Sequence, residues 1–404
     1  MEMLMINHFT QVPSEKGNGR FVYLCNLLKK NNPEINLEVI TTSFLHRTKE
    51  QRVLSEEDLN KLNYKLTTIY EPGYKKNVSL KRFYSHYVMG RNLNKYLKNI
   101  KRKIDVIYCS VPSLDVAKVA AKYSKKHNIK FIIDVQDLWP EAFKMVFHIP
   151  ILSNIIFYPM KRKANYIYKQ ADEIIAVSDT YANRAASVNN KYKNKLSVFL
   201  GTNLKDFDKY KSENLVKYID DKIRIAYIGT LGHSYDLTSV IEGIAKLNSE
   251  GINNLEFVIM GDGPLRAKFE NYAKEKDIDC IFTGRLEYPK MVGMLCSCDI
   301  AVNPISKGAA ASIINKVGDY AAAGLPVINT QECEEYRDLV EKYNIGYNCN
   351  NNDYIDISKK IKYLIENKEE RIKLGNNNRK LAEEKFDREK TYNKICELVK
   401  KSDI

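Results

Sequence analysis

The chain has 404 residues, with 64 Lys and Arg against 50 Asp and Glu and a formal net charge of +14. An apolar content of 44% with 28% charged residues is typical of a folded globular protein and excludes intrinsic disorder. No stretch approaches the roughly 20 apolar residues that span a bilayer, and the N-terminus lacks the basic region of a signal peptide. We therefore expect a cytoplasmic protein of two domains.

The eight cysteines are scattered, and their spacing is typical of neither a zinc site nor a disulfide framework. The positive charge is concentrated in the first half of the chain. Residues 1–200 hold 33 Lys and Arg against 17 Asp and Glu, whereas the remainder holds 31 against 33. This asymmetry predicts an anionic partner for the first half, which could be a membrane surface, a phosphorylated acceptor or a nucleic acid.

Taken in chain order, apolar runs typical of buried strands alternate with amphipathic helices, which predicts parallel sheets with crossover helices. In the first half, the predicted strands are 3–9, 37–42, 104–109, 130–135, 173–177 and 196–200, with a helix over 19–30. In the second half, they are 223–228, 255–260, 280–283, 300–302, 327–329 and 346–347. We predict domains over 1–205 and 223–385, a polar linker over 206–222 and a C-terminal helix over 386–404.

Glycines follow several strands at the carboxyl edge, where such sheets bind ligands. Gly17 and Gly19 precede the first helix, and Gly229, Gly261 and Gly263 follow strands of the second half. Glycine lets a backbone approach a phosphate closely, and a helix N-terminus favours its negative charge. Ordinary turns also use glycine here, and no complete G-x-G-x-x-G sequence is present.

The segment 313–323 is predicted to be a helix that ends at Gly324. It carries Lys316 and Asp319 on one face, a cation and a carboxylate suited to the diphosphate and the ribose of a nucleotide-sugar. Arg285, after the strand 280–283, is a second candidate for the diphosphate. Alternatively, Lys316 and Asp319 form a solvated i, i+3 pair on a surface helix, and Arg285 is a surface arginine.

The segment 134–141, with the sequence DVQDLWPE, ends a strand and starts a helix at Pro140. Asp137 and Glu141 are candidates to orient an acceptor or to act as a base, and Trp139 is a candidate to stack on a substrate. Alternatively, Glu141 is a first-turn acid stabilised by the helix dipole, and Trp139 is a core residue.

Two segments of the first half, 74–103 and 143–163, combine cations with aromatic and aliphatic side chains. The second contains Phe147 and ends in Lys161, Arg162 and Lys163. This composition is typical of an interfacial helix on anionic lipid, although a helix with a core-facing apolar side would share it. RNA binding is a further interpretation, but no RNA-binding motif accompanies these segments.

On these motifs the chain resembles the retaining family-4 glycosyltransferases of the GT-B fold. More narrowly, it is similar to bacterial capsule and O-antigen sugar transferases with a D-x-x-D-L-W-P-E motif. The resemblance covers nearly the whole chain and rests on residues 134–141, 227–232, 261–264, 283–285 and 316–327. It implies an α/β protein of two doubly wound Rossmann-like domains facing a central cleft, with the C-terminal helix crossing back to the first domain.

The resemblance also implies roles for particular residues. Gly19 and Gly229 would lie near the donor phosphates, and Gly261 and Gly263 would line the cleft. Arg285 and Lys316 would bind the diphosphate and stabilise it as the leaving group. Asp319 takes the place of the second Glu of the family's E-x7-E motif, which holds the ribose.

Several positions depart from the family pattern. Ala311 replaces the first Glu of E-x7-E, so a contact to the donor sugar or phosphate is either missing or rebuilt by Ser312. Gln136 replaces a histidine, so a carbonyl or side chain there, or Asp137, would have to contact the sugar instead. Thr230 and Tyr235 replace an Arg and a Lys, which leaves Arg285 and Lys316 with more of the phosphate charge.

The resemblance implies transfer of a sugar, an N-acetylated or deoxy amino sugar, from a UDP-sugar to a polyprenyl-diphosphate-linked acceptor in surface polysaccharide synthesis. The reaction would retain the anomeric configuration and need no metal or other cofactor. The protein would work at the anionic cytoplasmic face of the inner membrane and would not bind nucleic acid. A nucleotide-sugar 2-epimerase of the same fold and a noncatalytic partner of glycan assembly remain open as alternatives.

Overall fold

The structure is a computed structural model that describes residues 1–12, 15, 19–77, 79–146, 150–310 and 312–400. The chain forms two compact units, which are Met1–Val198 together with Tyr392–Ile404, and Phe199–Thr391. Each unit contains a parallel sheet whose strands are joined through helices. The segment from Tyr392 thus belongs with the first unit.

The first unit has a seven-stranded parallel sheet in the order β5-β2-β1-β6-β7-β8-β9. Its strands are β1 (Glu2–Ile6), β2 (Asn36–Thr42), β5 (Lys65–Ile69), β6 (Val106–Val111), β7 (Lys130–Val135), β8 (Glu173–Ala176) and β9 (Asn194–Ser197). A small hairpin pairs β3 (Phe44–Leu45) with β4 (Glu50–Gln51). Its helices are α1 (Arg20–Asn31), α2 (Glu56–Asn60), α3 (Leu80–Lys98), α4 (Leu114–His127), α5 (Glu141–Val146), α6 (Pro150–Ile156), α7 (Tyr158–Gln170) and α8 (Asp179–Ala186).

The second unit has a six-stranded parallel sheet in the order β12-β11-β10-β13-β14-β15. Its strands are β10 (Ile223–Ile228), β11 (Leu255–Met260), β12 (Cys280–Gly284), β13 (Ile300–Asn303), β14 (Val327–Asn329) and β15 (Gly346–Asn348). Its helices are α9 (Leu204–Asn214), α10 (Leu237–Ser249), α11 (Arg266–Glu275), α12 (Tyr288–Leu295), α13 (Lys316–Ala323), α14 (Glu334–Lys342), α15 (Tyr354–Glu366) and α16 (Lys368–Leu381). A π-helical turn (Ala382–Phe386) follows, and the last helix, α17 (Arg388–Lys400), begins in this unit and continues into the first.

The strands predicted from apolar runs are present because both faces of a parallel sheet are covered by helices. Every residue of β11 is buried, for example, although the strand includes Glu256. The strand β5 was missed, because its sequence, KLTTI, is polar and it lies at the edge of its sheet. Helix α13 ends at Gly324, which has φ +71° in the left-handed region, as the C-cap prediction requires.

The predicted linker over 206–222 is corrected by the structure. Helix α9 occupies its first part, and Leu204 and Phe207 of that helix are buried in the core of the second unit. The polar composition of this segment concealed a short amphipathic helix. None of the described helices is both long and apolar enough to cross a bilayer.

A buried ion pair joins α1 to the centre of the first sheet. Nε of Arg20 lies 3.0 Å from Oδ2 of Asp134, and both side chains are at most 3% exposed. The hydroxyl of Tyr108 donates to the same carboxylate at 2.6 Å, and Nη1 of Arg20 donates to the carbonyl of Val198 at 2.8 Å. The first Asp of the DVQDLWPE segment is therefore a structural residue.

Substituting Asp134→Asn should lower the free energy of unfolding by about 3–5 kcal/mol, because it leaves the Arg20 guanidinium buried without a carboxylate. The matched control is Asp279→Asn, which removes an exposed partner of Lys222 and should leave the free energy of unfolding almost unchanged. Urea denaturation measures both variants. Equal losses of unfolding free energy in the two variants would show that the buried Arg20–Asp134 pair contributes no more than an exposed pair.

Candidate functional site

The carboxyl ends of β10 and β11 are held together by two glycine turns. The amide of Gly229 donates to the carbonyl of Met260 at 3.0 Å. A Cβ at Gly261 would lie 1.7 Å from the Gly229 carbonyl oxygen, and one at Gly263 would lie 2.3 Å from that of Leu231. Glycine is therefore required at 261 and 263 by contact between the two turns, whereas the sequence had suggested contact with a phosphate.

The side chain of Lys316, at the start of α13, reaches back to the end of β10. Its Nζ lies 3.9 Å from the ring centroid of Tyr227 and 4.0 Å from that of Tyr235. A Cβ built on Gly229 would be only 3.0 Å from this nitrogen, so the ammonium lies directly against the glycine turn. The structure thus brings two predicted site residues, Lys316 and Gly229, together.

The Lys316 ammonium is buried and has no hydrogen-bond partner among the described residues. Burial lowers the pKa of Lys316 well below its usual value. Helix α13 has no side-chain cap at its N-terminus, although the amides of Val317 and Gly318 donate to the backbone carbonyls of Ile314 and Asn315. A buried cation beside an uncapped helix N-terminus is an arrangement that an anion would complete.

Asp319 is one turn further along α13 but does not form an ion pair with Lys316. Its Oδ1 accepts hydrogen bonds from the hydroxyls of Tyr288, at 2.7 Å, and Thr202, at 3.0 Å. Burial raises the pKa of Asp319, whereas these two hydrogen bonds act in the opposite direction. One carboxylate oxygen is thus fixed by the protein, and no described residue donates to the other.

Three other predicted donor residues, Arg285, Ser312 and Gly19, have different surroundings. Arg285 directly follows β12, is exposed and forms no ion pair with any described residue. The backbone carbonyl of Ser312 accepts a hydrogen bond of 2.7 Å from Nε2 of the buried Gln331. Ala311, beside it, lies outside the described residues. In the first unit, Gly19 precedes α1, and a Cβ there would meet mainly the side chain of Gln11, at 3.0 Å.

In the first unit, the DVQDLWPE segment brings Asp137 and Trp139 together. The Trp139 Nε1 donates to Oδ2 of Asp137 at 3.3 Å, and the hydroxyl of Tyr181 donates to Oδ1 at 3.4 Å. Burial raises the pKa of Asp137, although the hydrogen bond from the Leu138 amide acts in the opposite direction. Trp139 is only 5% exposed, which agrees with the core-residue alternative for that side chain.

Glu141 has a structural partner that the sequence did not reveal. Its Oε1 accepts from Nε of Arg184 on α8 at 2.6 Å, and the same guanidinium donates to Asn165 on α7 at 2.8 Å. The carboxylate therefore ties α5 to its neighbours. This contact argues against the predicted role of Glu141 as a free base.

Four side chains at the carboxyl edge of the first sheet form a network that sequence reasoning missed. His8 shares a hydrogen bond of 2.7 Å with Glu71 through Nε2 and one of 2.5 Å with Ser113 through Nδ1. His8, Glu71 and His86 each place a possible metal-ligand atom within 4.8 Å of the others. Because these residues are far apart in sequence, only the fold reveals the cluster, and the bond between His8 and Glu71 already satisfies two of the three groups.

The predicted lipid-facing cations differ in their surroundings. Lys161 and Arg162 are exposed on α7, but Nζ of Lys163 lies 2.5 Å from a carboxylate oxygen of Asp115. Apolar side chains beside them are also exposed, to 67% for Ile155, 60% for Ile156 and 57% for Tyr158. Phe147 lies outside the described residues. Lys163 is thus the one cation of the three that the protein itself pairs.

A cavity of about 220 Å³ lies close to this exposed face. It is lined by Phe83, His86, Leu114, Asp115, Trp139, Ile156, Pro159, Met160 and Lys163. Its walls are mostly aromatic and aliphatic and carry the paired Asp115 and Lys163, a combination that suits the apolar face and the hydroxyls of a sugar or a lipid-linked group.

Comparison with solved structures defines the class of fold. HepE from Anabaena, in complex with UDP, aligns with 99% of this chain and 100% of its own at a TM-score of 0.68 and 14% identity. Sucrose-phosphate synthase from Thermosynechococcus elongatus aligns with 99% of both chains at a TM-score of 0.70 and 14% identity. The predicted GT-B fold, with two Rossmann-like domains, is thereby confirmed.

Comparison with sequences finds a family model that matches most of the second unit. Residues 210–381 match the family model described as "Glycosyl transferases group 1". A Campylobacter jejuni enzyme, named as an alpha-1,4-N-acetyl-D-galactosaminyltransferase acting on GalNAc-alpha-(1->4)-GalNAc-alpha-(1->3)-diNAcBac-PP-undecaprenol, is 26% identical over 172 residues. That alignment covers 42% of this chain and 43% of the relative. The family match contains Arg285, Lys316 and Asp319.

Proposed function

We propose that the protein is a glycosyltransferase that moves a sugar from a UDP-sugar to a polyprenyl-diphosphate-linked acceptor in bacterial surface polysaccharide synthesis. The observation that carries the proposal is the Lys316 ammonium, which is buried between two tyrosine rings and has no hydrogen-bond partner in the described part of the chain. Burying a cation is unfavourable unless a partner compensates it. The diphosphate of a nucleotide-sugar would supply that partner.

The donor would place its diphosphate between the Lys316 ammonium and the N-terminus of α13. Cleavage of the bond from sugar to diphosphate leaves negative charge on the phosphate oxygens. Fixed cations and helix amides aimed at that charge stabilise the transition state. Arg285 would add a further charge from the end of β12, and the free carboxylate oxygen of Asp319 would hold the ribose. The choice of uridine is supported by HepE, which was solved with UDP and with UDP-glucose.

The acceptor would bind to the first unit. The name of the Campylobacter jejuni relative describes an undecaprenol-diphosphate-linked acceptor and an N-acetylated sugar. The net positive charge of residues 1–200 and the cavity beside Trp139 are consistent with such an acceptor here. The exposed Lys161 and Arg162, next to exposed aliphatic residues, would hold this face on the anionic cytoplasmic surface of the inner membrane.

Two further parts of the proposal concern mechanism. The transfer would retain the anomeric configuration, with the leaving phosphate accepting the proton of the acceptor hydroxyl. It would proceed without a divalent metal, since Lys316, Arg285 and the helix amides would balance the charge of the leaving group. Asp137, part-buried beside Trp139, would orient the acceptor hydroxyl.

Substituting Lys316→Met should weaken UDP binding by roughly 10- to 100-fold, because the diphosphate loses its buried cation. Isothermal titration calorimetry without metal, comparing UDP with GDP and ADP, measures this effect. The matched control is Lys307→Met, at an exposed position before α13, which should leave binding unchanged. If the wild-type protein bound no nucleotide, a noncatalytic role would be favoured. If it epimerised a UDP-sugar without transferring the sugar, the epimerase alternative would be favoured.

The same titration should show uptake of a proton on UDP binding. Burial lowers the pKa of Lys316 in the free protein, and a neighbouring diphosphate would raise it again. A proton is therefore taken up at any pH between the two values. Repeating the titration in buffers of different ionisation enthalpy measures this uptake, which should be absent in Lys316→Met. Equal proton uptake by both proteins would assign it to another group.

Substituting Asp137→Asn should lower the transfer rate while leaving UDP affinity unchanged. Because burial raises the pKa of Asp137, the wild-type rate should fall on acidification at a higher pH than an ordinary aspartate would give, and Asp137→Asn should lose this fall. Initial rates with a prenyl-diphosphate-linked sugar, measured over a pH series that extends into the acidic range, test this. Glu141→Gln should instead lower the unfolding free energy by about 1 kcal/mol and keep the acidic fall in rate.

Reversing the charges of Lys161 and Arg162 to Glu should weaken binding to phosphatidylglycerol vesicles by at least roughly tenfold, since each cation near an anionic surface contributes about 1 kcal/mol. The matched control reverses Lys125 and Lys126, which are exposed at the end of α4 and change the net charge equally. Vesicle co-sedimentation measures both. Equal losses would show a general charge effect in place of a membrane-facing surface.

A further inference from the structure

The guanidinium of Arg82 is enclosed by aromatic rings in the first unit. It lies 4.7 Å from the ring centroid of Trp139, 5.6 Å from that of Tyr74 and 6.0 Å from that of Phe9. Its Nη1 donates to the carbonyl of Asn77 at 3.0 Å, but its buried Nε has no hydrogen-bond partner among the described residues. Aromatic faces stabilise a cation without neutralising it.

A second cation, Lys49, faces the same tyrosine. Its Nζ lies 4.9 Å from the ring centroid of Tyr74 and donates to the carbonyl of His46, at 2.5 Å, and to Oδ1 of Asn77, at 2.6 Å. Lys49 adopts φ +67° in the turn between β3 and β4, a conformation that is unfavourable for lysine. The hairpin therefore holds this ammonium beside Tyr74 at a cost in backbone strain.

The pKa of His46 reflects both its burial and the two neighbouring cations. Its Nδ1 lies 2.5 Å from the Tyr74 hydroxyl and 3.3 Å from Nζ of Lys49. Burial, together with the charges of Lys49 and Arg82, lowers the pKa of His46 to about 4. The imidazole therefore stays neutral at physiological pH, and the two cations remain next to each other.

No described carboxylate lies within 4 Å of Arg82 or Lys49, in contrast to the ion-paired Arg20, Arg52 and Arg184. The carboxylates that influence Arg82 are occupied elsewhere. Glu71 accepts hydrogen bonds from His8, Thr42 and Ser85, and Asp137 accepts from Leu138, Trp139 and Tyr181. Arg82, Lys49 and His46 are all partly exposed, so a ligand can reach them from solvent.

We propose that Arg82 and Lys49, arranged around Tyr74, form a binding site for a diphosphate anion, and that this anion is the diphosphate of the lipid-linked acceptor. The identity of the ligand rests on the proposed function, whereas the anion site rests on the geometry alone. Arginine's planar fork binds two phosphate oxygens at once, and lysine adds a point charge. Trp139 then has a definite role, since its ring holds the guanidinium in place.

The test is calorimetry on the full chain carrying Lys316→Met, so that the nucleotide site does not contribute. The two probes are inorganic pyrophosphate and geranyl diphosphate. Arg82→Gln should weaken binding of geranyl diphosphate by roughly tenfold or more, and Lys49→Gln should weaken it by a smaller factor. Arg82→Lys keeps the charge but loses the fork, so an intermediate affinity is expected even if the glutamine variant folds poorly.

The matched control is Arg91→Gln, which removes an exposed arginine of the same helix, α3. An equal loss in Arg91→Gln, or unchanged affinity in both Arg82 variants, would overturn the site. Arg82-dependent binding of pyrophosphate alone would overturn the assignment to a lipid-linked acceptor. UDP affinity of Arg82→Gln in an otherwise wild-type chain should be unchanged. If the wild-type protein did not bind UDP, the proposed function would be wrong, but the result for the Arg82 variants would still stand.

Discussion

The buried ammonium of Lys316 is the constraint around which the carboxyl edge of the second sheet is arranged. An ion removed from water must be stabilised by its surroundings or lose its charge. Here burial lowers the pKa of Lys316, the rings of Tyr227 and Tyr235 offset part of that cost, and Gly229 leaves room for the nitrogen. A side chain at Gly229 would therefore compete with the ammonium for the same space.

The aromatic partners explain how the site could work despite its departures from the family pattern. Thr230 and Tyr235 stand where the resemblance leads one to expect an arginine and a lysine. Tyr235 contributes an aromatic ring in place of a positive charge. The ring packs against the Lys316 ammonium without repelling it. A carboxylate in that place would have neutralised Lys316 and weakened its attraction for a diphosphate. The ring quadrupole stabilises the ammonium and leaves its charge for a ligand.

The same distinction separates two kinds of cation in the first unit. Arg20 and Arg184 are paired with carboxylates and hold helices in place. Arg82 and Lys49 lie on aromatic rings, and their charges remain uncompensated among the described residues. Carboxylate-paired cations are thus structural here, and those held by rings are candidates for ligand binding. The Arg82 and Lys49 place in the first unit and the Lys316 place in the second both meet that criterion.

The sequence revealed the second of these places better than the first, for a physical reason. Lys316, its helix and the C-cap at Gly324 lie within one short segment, so local pattern was enough to single them out. Lys49, Tyr74, Arg82 and Trp139 come from a hairpin turn, a loop, a helix and a strand end, and only the tertiary fold brings them together. Local pattern also could not show that Glu141 would meet Arg184 across two helices. In both cases the role of the residue depends on its partner. A carboxylate that pairs with a guanidinium becomes structural, whereas a guanidinium that packs only against aromatic rings keeps its charge for an incoming anion.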